Sequence, residues 1–485
     1  MRVPLAEWTP DLSPVIGDQT AENVIPEVDS YLPWNSATAY SNTISARAQG
    51  FIAAKDKAGV NYNYCGDNHD LYVLANQTWT VASRTPTVTY STVSSLWWEF
   101  VQWNETVIAT NYADDPQAIS LGATNFAALA GSPPKAKHIA IVRDFVELGN
   151  IPDYPQRVRW SAINNAISWT VDATTQADYQ DLVGEGGHVQ KIIGGEYGVV
   201  FQERAIWRQT YVGSPLIFQF DQVEKNTGAF SPMACVGFGP AVFYLSEDGF
   251  KMFQGSGSVP IGAQKVDRTF FNDLDTAYVD RVNAVVDPKR KLYIVAYPGS
   301  GNTNGNCNKI LVYNWQCKKW TLVSEDVEML VRHISTGYSM DGAGGLDSVS
   351  GSLDALPASL DDPIWAGGLI NIASFNTSHV LSLFTGTAKA ATVDTKEVEH
   401  SPGRRSKLLR VRPLVDGITT SIAVGYRNDT ADTVAFKTAV PQNSTGDCPV
   451  RSDARYHRYR ITTAGGDFDH IRGVEVLEVY PSSQR

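Results

Sequence analysis

The residues best equipped for chemistry by type and spacing are cationic. In "GRRSKLLRVR" the side chains of Arg404, Arg405, Lys407, Arg410 and Arg412 fall within nine positions. Strand alternation turns Arg410 and Arg412 to one face. Guanidinium groups bind carboxylates through two parallel hydrogen bonds, so such a face suits an acidic partner. A solvated strand face accounts for the same pattern, and the sequence does not choose between the two. The other candidates are weaker. His69 lies between Asp67 and Asp70, where a turn residue is the simpler reading than a ligand. The eight histidines form no His-x-x-x-His and sit beside no Cys-x-x-Cys, so zinc has no local footing and no metal or cofactor is expected. No nucleophile elbow, Walker loop or dinucleotide fingerprint occurs, and "GSGSVPIG" from Gly255 lacks the Lys that phosphate binding needs. "SEDGFKMF" from Ser246 resembles the Asp box of sialidase-like enzymes in part, with its Gly one place early and the Thr-Trp ending missing. Two convergent carboxylates for glycoside hydrolysis can be neither identified nor dismissed from sequence.

The elements that would carry these residues are hairpins. In "GGEYGVVFQERAIWRQTYVG" two β-branched and aromatic runs flank the turn Gln202–Arg204. "PAVFYLSEDGFKMFQG" from Pro240 has the same design around an Asp-Gly pair. "NHDLYVLANQTWTVAS" from Asn68 and "NKILVYNWQCKKWTLVS" from Asn308 repeat it, with fainter versions from Glu105 and His138. Recurrent hairpins predict an all-β chain whose body is a β-propeller of six blades; a β-sandwich is the alternative. Trp79, Trp207, Trp315 and Trp320 are expected between its sheets. The one helix signal is the first half of "TFFNDLDTAYVDRVNAVV" from Thr269.

Residues 1–44, with five prolines and the anchors Trp8 and Trp34, predict an extended N-terminal arm that packs on something, a neighbouring subunit among the options. Residues 45–395 form the expected propeller body, including a Gly/Ser/Asp-rich surface loop at 336–363. Residues 396–485 alternate as a small β-sandwich-like domain. Five scattered cysteines, an odd number, predict free thiols rather than a secreted framework. No apolar run reaches the ~20 residues a membrane span needs, so synthesis in the cytoplasm without stable membrane insertion is expected. The net charge is −11, with thirteen Lys and Arg against nine Asp and Glu in residues 401–485, leaving −15 on residues 1–400. An acidic body argues against gripping phosphates.

The order of "DSYLPWNSATAYSNTISARAQGF", "DLYVLANQTW", "KIIGGEYGVVFQERAIWRQ" and "AVFYLSEDGFKMFQGSGSVPIGAQKVDRTFFNDLD" resembles the tail nozzle (tail-tube or tail-stabilisation) proteins of short-tailed bacteriophages. The resemblance implies a non-enzymatic virion protein, made in the host cytoplasm, forming a homo-hexameric ring below the adaptor (head-to-tail connector) ring. It also implies contacts with tail fibre, spike or needle proteins, and a lumen through which DNA passes without specific binding. A propeller glycan hydrolase and a tail protein binding a host-surface glycan are the alternatives.

Overall fold

The computed structural model describes residues 1–12, 19–86, 88–335, 370–417 and 420–482. The 336–363 loop expected from the sequence lies outside the described residues. Short strands dominate, as the β-branched and aromatic runs require. The hairpin turns are built by the residues that tolerate them. Asn76 and Gln77 both take positive φ in the two-residue loop between Leu71–Ala75 and Thr78–Val81, a turn whose twist matches that of the flanking strands.

Five antiparallel four-stranded sheets follow one another along the chain, spanning residues 51–81, 99–128, 138–181, 189–225 and 236–260. A sixth comprises Asn283–Asp287, Leu292–Tyr297, Cys307–Asn314 and the first part of Lys319–Ile334. These are blades one to six of a propeller. The ring has a seventh member. The second part of Lys319–Ile334 pairs with Ile370–Asn376, which pairs with Val380–Leu383, and Thr38–Thr43 supplies the outer strand. The six blades expected from the sequence therefore become seven. The last was hidden because its strands come from distant parts of the chain, so no local hairpin pattern announces all four.

Large side chains fill the gaps between blades. Phe243 stacks on Tyr293 at 5.0 Å between blades five and six, and Phe201 meets Tyr244 at 5.0 Å between four and five. Trp98 wedges against blade one so closely that a Cβ on Gly50 would lie 2.2 Å from its carbonyl oxygen, and one on Gly66 2.5 Å from its ring. Trp79 and Trp320 are buried as expected, whereas Trp207 and Trp315 are only partly covered. The helix signal resolves into Asp267–Asp273, a 3-10 turn over Thr276–Arg281 and then the strand Asn283–Asp287. All five cysteines are free.

Of the first 44 residues, those described (1–12 and 19–44) are not a separate arm but are woven into both halves of their own chain. Arg2–Val3 and Tyr31–Pro33 pair with Ile471–Pro481, which also pairs with Ser406–Val415. Ala21–Glu22 pairs with Thr392–Asp394, which continues to Tyr456–Thr463 and Thr420–Arg427. The two sheets enclose Leu408, Val411, Ile422, Tyr459, Ile461 and Val474, an alternating inward set of the sandwich kind. The sandwich thus begins near Thr392 and includes the N-terminus, so the expected partition at residues 44 and 396 is blurred at both ends. One feature joins sandwich to propeller: Glu22 pairs in parallel with Leu322 of blade six, beside an isolated bridge between Trp8 and Trp320. Pro26 and Pro33 end the strands Val24–Pro26 and Tyr31–Pro33, which pair with each other within the chain.

Candidate functional site

Lys407, Arg410 and Arg412 lie on Ser406–Val415, just after Arg404 and Arg405, with Leu408 and Val411 pointing into the sandwich core. Arg410 and Arg412 face outward together, as alternation requires, but each meets carboxylates of its own chain. A bridge between Val411 and Cys448 brings Asp447 alongside. Arg412 Nε lies 2.9 Å from Asp447 Oδ1, and Arg410 Nη2 lies 2.7 Å from Glu478 Oε1. Longer approaches link Arg410 to Asp447 at 3.7 Å and Arg412 to Glu475 at 3.9 Å. Arg405 donates to the Asp453 carbonyl at 2.8 Å and lies 3.3 Å from its carboxylate. The spacing signal thus finds a real shared face. It does not foresee the carboxylates, which come from residues 35 to 68 positions away. Arg404 and Lys407 are exposed and are the cations of this run most open to a partner.

A second arrangement, which sequence reasoning missed, sits at the propeller axis. All seven inner strands line a central cavity of about 620 Å³, walled by apolar side chains such as Phe100, Ile139, Ile192 and Met329, with Arg332 among them. On three successive inner strands lie Glu99, His138 and Lys191. His138 Nδ1 and Lys191 Nζ each lie 2.8 Å from Glu99 Oε1, and the Ile139 amide donates to Oε2 at 3.3 Å. Burial alone would raise the Glu99 carboxyl, but the neighbouring Lys191 and His138 overcome it and bring the pKa down to about 2. Burial holds His138 toward its neutral form despite Glu99, so Lys191 is the charge that balances the carboxylate. The cluster is an internal ion pair in which His138 Nε2 is buried without a hydrogen-bond partner. No periodicity reveals it, since the three residues align only once the blade register is known.

The remaining sequence candidates resolve as turn chemistry. Asp67 Oδ1 accepts from the His69 and Asp70 amides at 2.8 and 2.7 Å, and Tyr72 donates to Oδ2 at 2.8 Å. Ser246–Asp248 leads through Gly249 into the return strand, with Asp248 paired to Lys251 at 2.8 Å. Among the described residues no three His, Cys, Asp or Glu side chains converge as metal ligands. Among them, too, no helix is long and apolar enough to cross a membrane.

No family model matches the sequence, and no curated protein matches it. Among solved structures, the computationally designed Ika8 protein superposes with a TM-score of 0.39 at 9% identity, covering 71% of this chain and 98% of that one. The Neurospora crassa Pan2 WD40 domain gives 0.39 at 8% identity, covering 74% and 96%. The extracellular domain of a one-component system from B. thetaiotaomicron gives 0.43 at 10% identity, covering 82% of this chain and 44% of that one. Likeness at this level carries no argument, and the propeller is read from the strand pairing itself.

Proposed function

We propose that the chain is a structural, non-catalytic subunit of a short-tailed bacteriophage tail, one of six copies forming the nozzle ring beneath the adaptor, through whose shared lumen DNA leaves. The observation that carries this reading is the double closure of the chain. The N-terminal segment completes the seventh blade and then, through Arg2–Val3, Ala21–Glu22 and Tyr31–Pro33, the sandwich. Tying both modules with one segment makes a stiff block, which is what a wall needs. The sequence resemblance supplies the setting. The chain's own cavity of about 620 Å³ is of small-molecule size. A duplex whose major groove alone is about 12 Å wide does not pass it; the conduit in this reading is the space enclosed between copies. The −15 carried by residues 1–400 suits a wall that does not hold phosphates.

In this role Arg404 and Lys407 meet an acidic neighbour, either the next copy or a fibre, spike or needle protein. Cryo-EM of the particle is expected to show six copies in a ring next to the adaptor, and absence of the chain from the tail removes the proposal. Changing Arg404 and Lys407 to Glu is expected to lower incorporation into particles while the isolated chain keeps its melting temperature. Normal incorporation would assign these two to solvent.

A further inference from the structure

The antiparallel order within each blade sends two kinds of connection to the same face of the propeller. These are the links between blades and the turns joining second to third strands. On that face, loops of blades one, six and seven enclose a pocket of about 800 Å³. Arg47 enters it from the link into blade one, and Arg281 from the link into blade six. Asn68, Asn304 and Thr377 come from the second-to-third-strand turns of blades one, six and seven, and Ser91 from the link between blades one and two.

Each guanidinium is anchored by one carbonyl and an aromatic ring. Arg47 Nη2 donates to Ser94 O at 2.7 Å with its carbon 5.3 Å from the Trp97 ring centre. Arg281 Nη1 donates to Asn304 O at 2.5 Å and lies 4.9 Å from the Tyr278 ring. Among the described residues neither has a carboxylate at ion-pair distance. Arg47 Nη1, Arg281 Nε and Asn68 Oδ1 are buried with no hydrogen-bond partner, a concentration of unmet polar atoms around one cavity that ordinary packing avoids. Burial, and then the charge of Arg281, bring the Arg47 guanidinium down to about 10. The buried Glu328 at the rim lies 2.6 Å from His379, and burial pushes its carboxyl up against the opposing pull of His379 and the Ala48 amide. Glu328 and Asp280 act on Arg47 in the opposite sense, more weakly than burial and Arg281. Two under-used guanidinium groups call for an oxyanion, and the surrounding amides and hydroxyls match the donors and acceptors of a sugar. The volume is that of a small-ligand site.

We propose that this pocket binds an acidic sugar, its carboxylate or phosphate held between Arg47 and Arg281 and its hydroxyls on the surrounding amides and hydroxyls. The inference goes beyond the ring-subunit reading and stands independently of it. Calorimetric titration of the purified full-length chain tests it with a glucuronate-containing disaccharide and with glucose 6-phosphate, against maltose, inorganic phosphate and a pentaglutamate peptide. At least one acidic sugar is expected to bind, with maltose, inorganic phosphate and peptide at least about tenfold weaker, the scale of one charge-assisted contact; which acidic sugar binds tells carboxylate from phosphate. Arg281→Met is expected to cost about tenfold or more in affinity at an unchanged melting temperature. Should that variant fold poorly, Asn304→Asp places a negative charge on the exposed rim and is expected to weaken the acidic sugar while leaving any residual maltose binding alone. No binding by either acidic sugar overturns the proposal. So does unchanged affinity in both variants, or equal binding of peptide or inorganic phosphate, which would mark a protein-docking or generic anion site.

Discussion

At the scale of single residues, two buried carboxyls give the molecule opposite responses to pH. Glu147 is fully buried and accepts from Gln209 through one oxygen, while its other oxygen has no partner. Burial pushes its pKa up to about 8. Its contribution is complete below the unfolded value near 4.3 and is lost as pH rises toward 8, because the unfolded chain releases a proton that the folded one keeps. Glu99, brought down to about 2, contributes above the unfolded value and loses its contribution as pH falls toward 2. Glu147→Gln is expected to leave acid stability unchanged and to gain on the parent steadily between pH 5 and 8, reaching ~3 kcal/mol. Chemical denaturation across that range measures it, and a pH-independent difference would show that Glu147 ionises freely. Tryptophans make a second test. Trp320 is fully buried and donates to Ile261 O at 2.9 Å, so Trp320→Ala is expected to cost ~3–5 kcal/mol. Trp207 is only partly buried, so Trp207→Ala is expected to cost less than Trp320→Ala in the same urea titration.

At the scale of elements, the closing strands decide whether the N-terminal segment belongs to this chain or to a neighbour. Removing residues 1–44 takes away the outer strand of blade seven and four short strands of the sandwich. The truncated chain is expected to lose its cooperative thermal transition; an arm meant for another subunit would leave that transition intact, and circular dichroism separates the outcomes. Hairpins were legible in the sequence because each is local: the runs around Gln202–Arg204 and Ser246–Gly249 carry period-two alternation and turn residues within about twenty positions. Blade seven and the N-terminal strands of the sandwich were not legible, because Thr43 pairs with Val380 and Arg2 with Glu475. Pairings of two or three residues leave no pattern to read. The arginine face was half legible for the same reason. Alternation aims Arg410 and Arg412 outward, but the carboxylates that meet them arrive by tertiary structure. Reversing all of Arg404, Arg405, Arg410 and Arg412 would therefore set new acids against Asp447, Glu475 and Glu478 and disturb the sandwich itself, which is why the docking test is confined to Arg404 and Lys407.

For the whole molecule, charge opposes self-assembly. In the proposed ring, six copies at −11 each would carry −66, and like charges repel over a Debye length of roughly 8 Å at physiological salt. Exposed ion pairs between a basic sandwich and the acidic body of the next copy return only about 0–1 kcal/mol each. The purified chain is therefore expected to be monomeric at micromolar concentration, closing into a ring only where an adaptor holds several copies side by side. Native mass spectrometry decides this, and a stable hexamer of the isolated chain at low salt would refute templated assembly while leaving the ring itself in place.

The stitch between the chain's two ends also constrains its birth. Translation releases Thr38–Thr43 long before Val380–Leu383, and Arg2–Val3 long before Val474 and Glu475. At about 5–20 residues per second, the first strands wait roughly 20–90 s for their partners. During that interval blades one to six can form beside the ribosome, while the inner strand of blade one faces an unfilled gap and the outermost N-terminal strands wait for partners. The ring cannot close before Val380–Leu383 emerges, nor the sandwich before Ile471–Pro481, so a ribosome that stalls short of either point leaves open sheets with sticky edges.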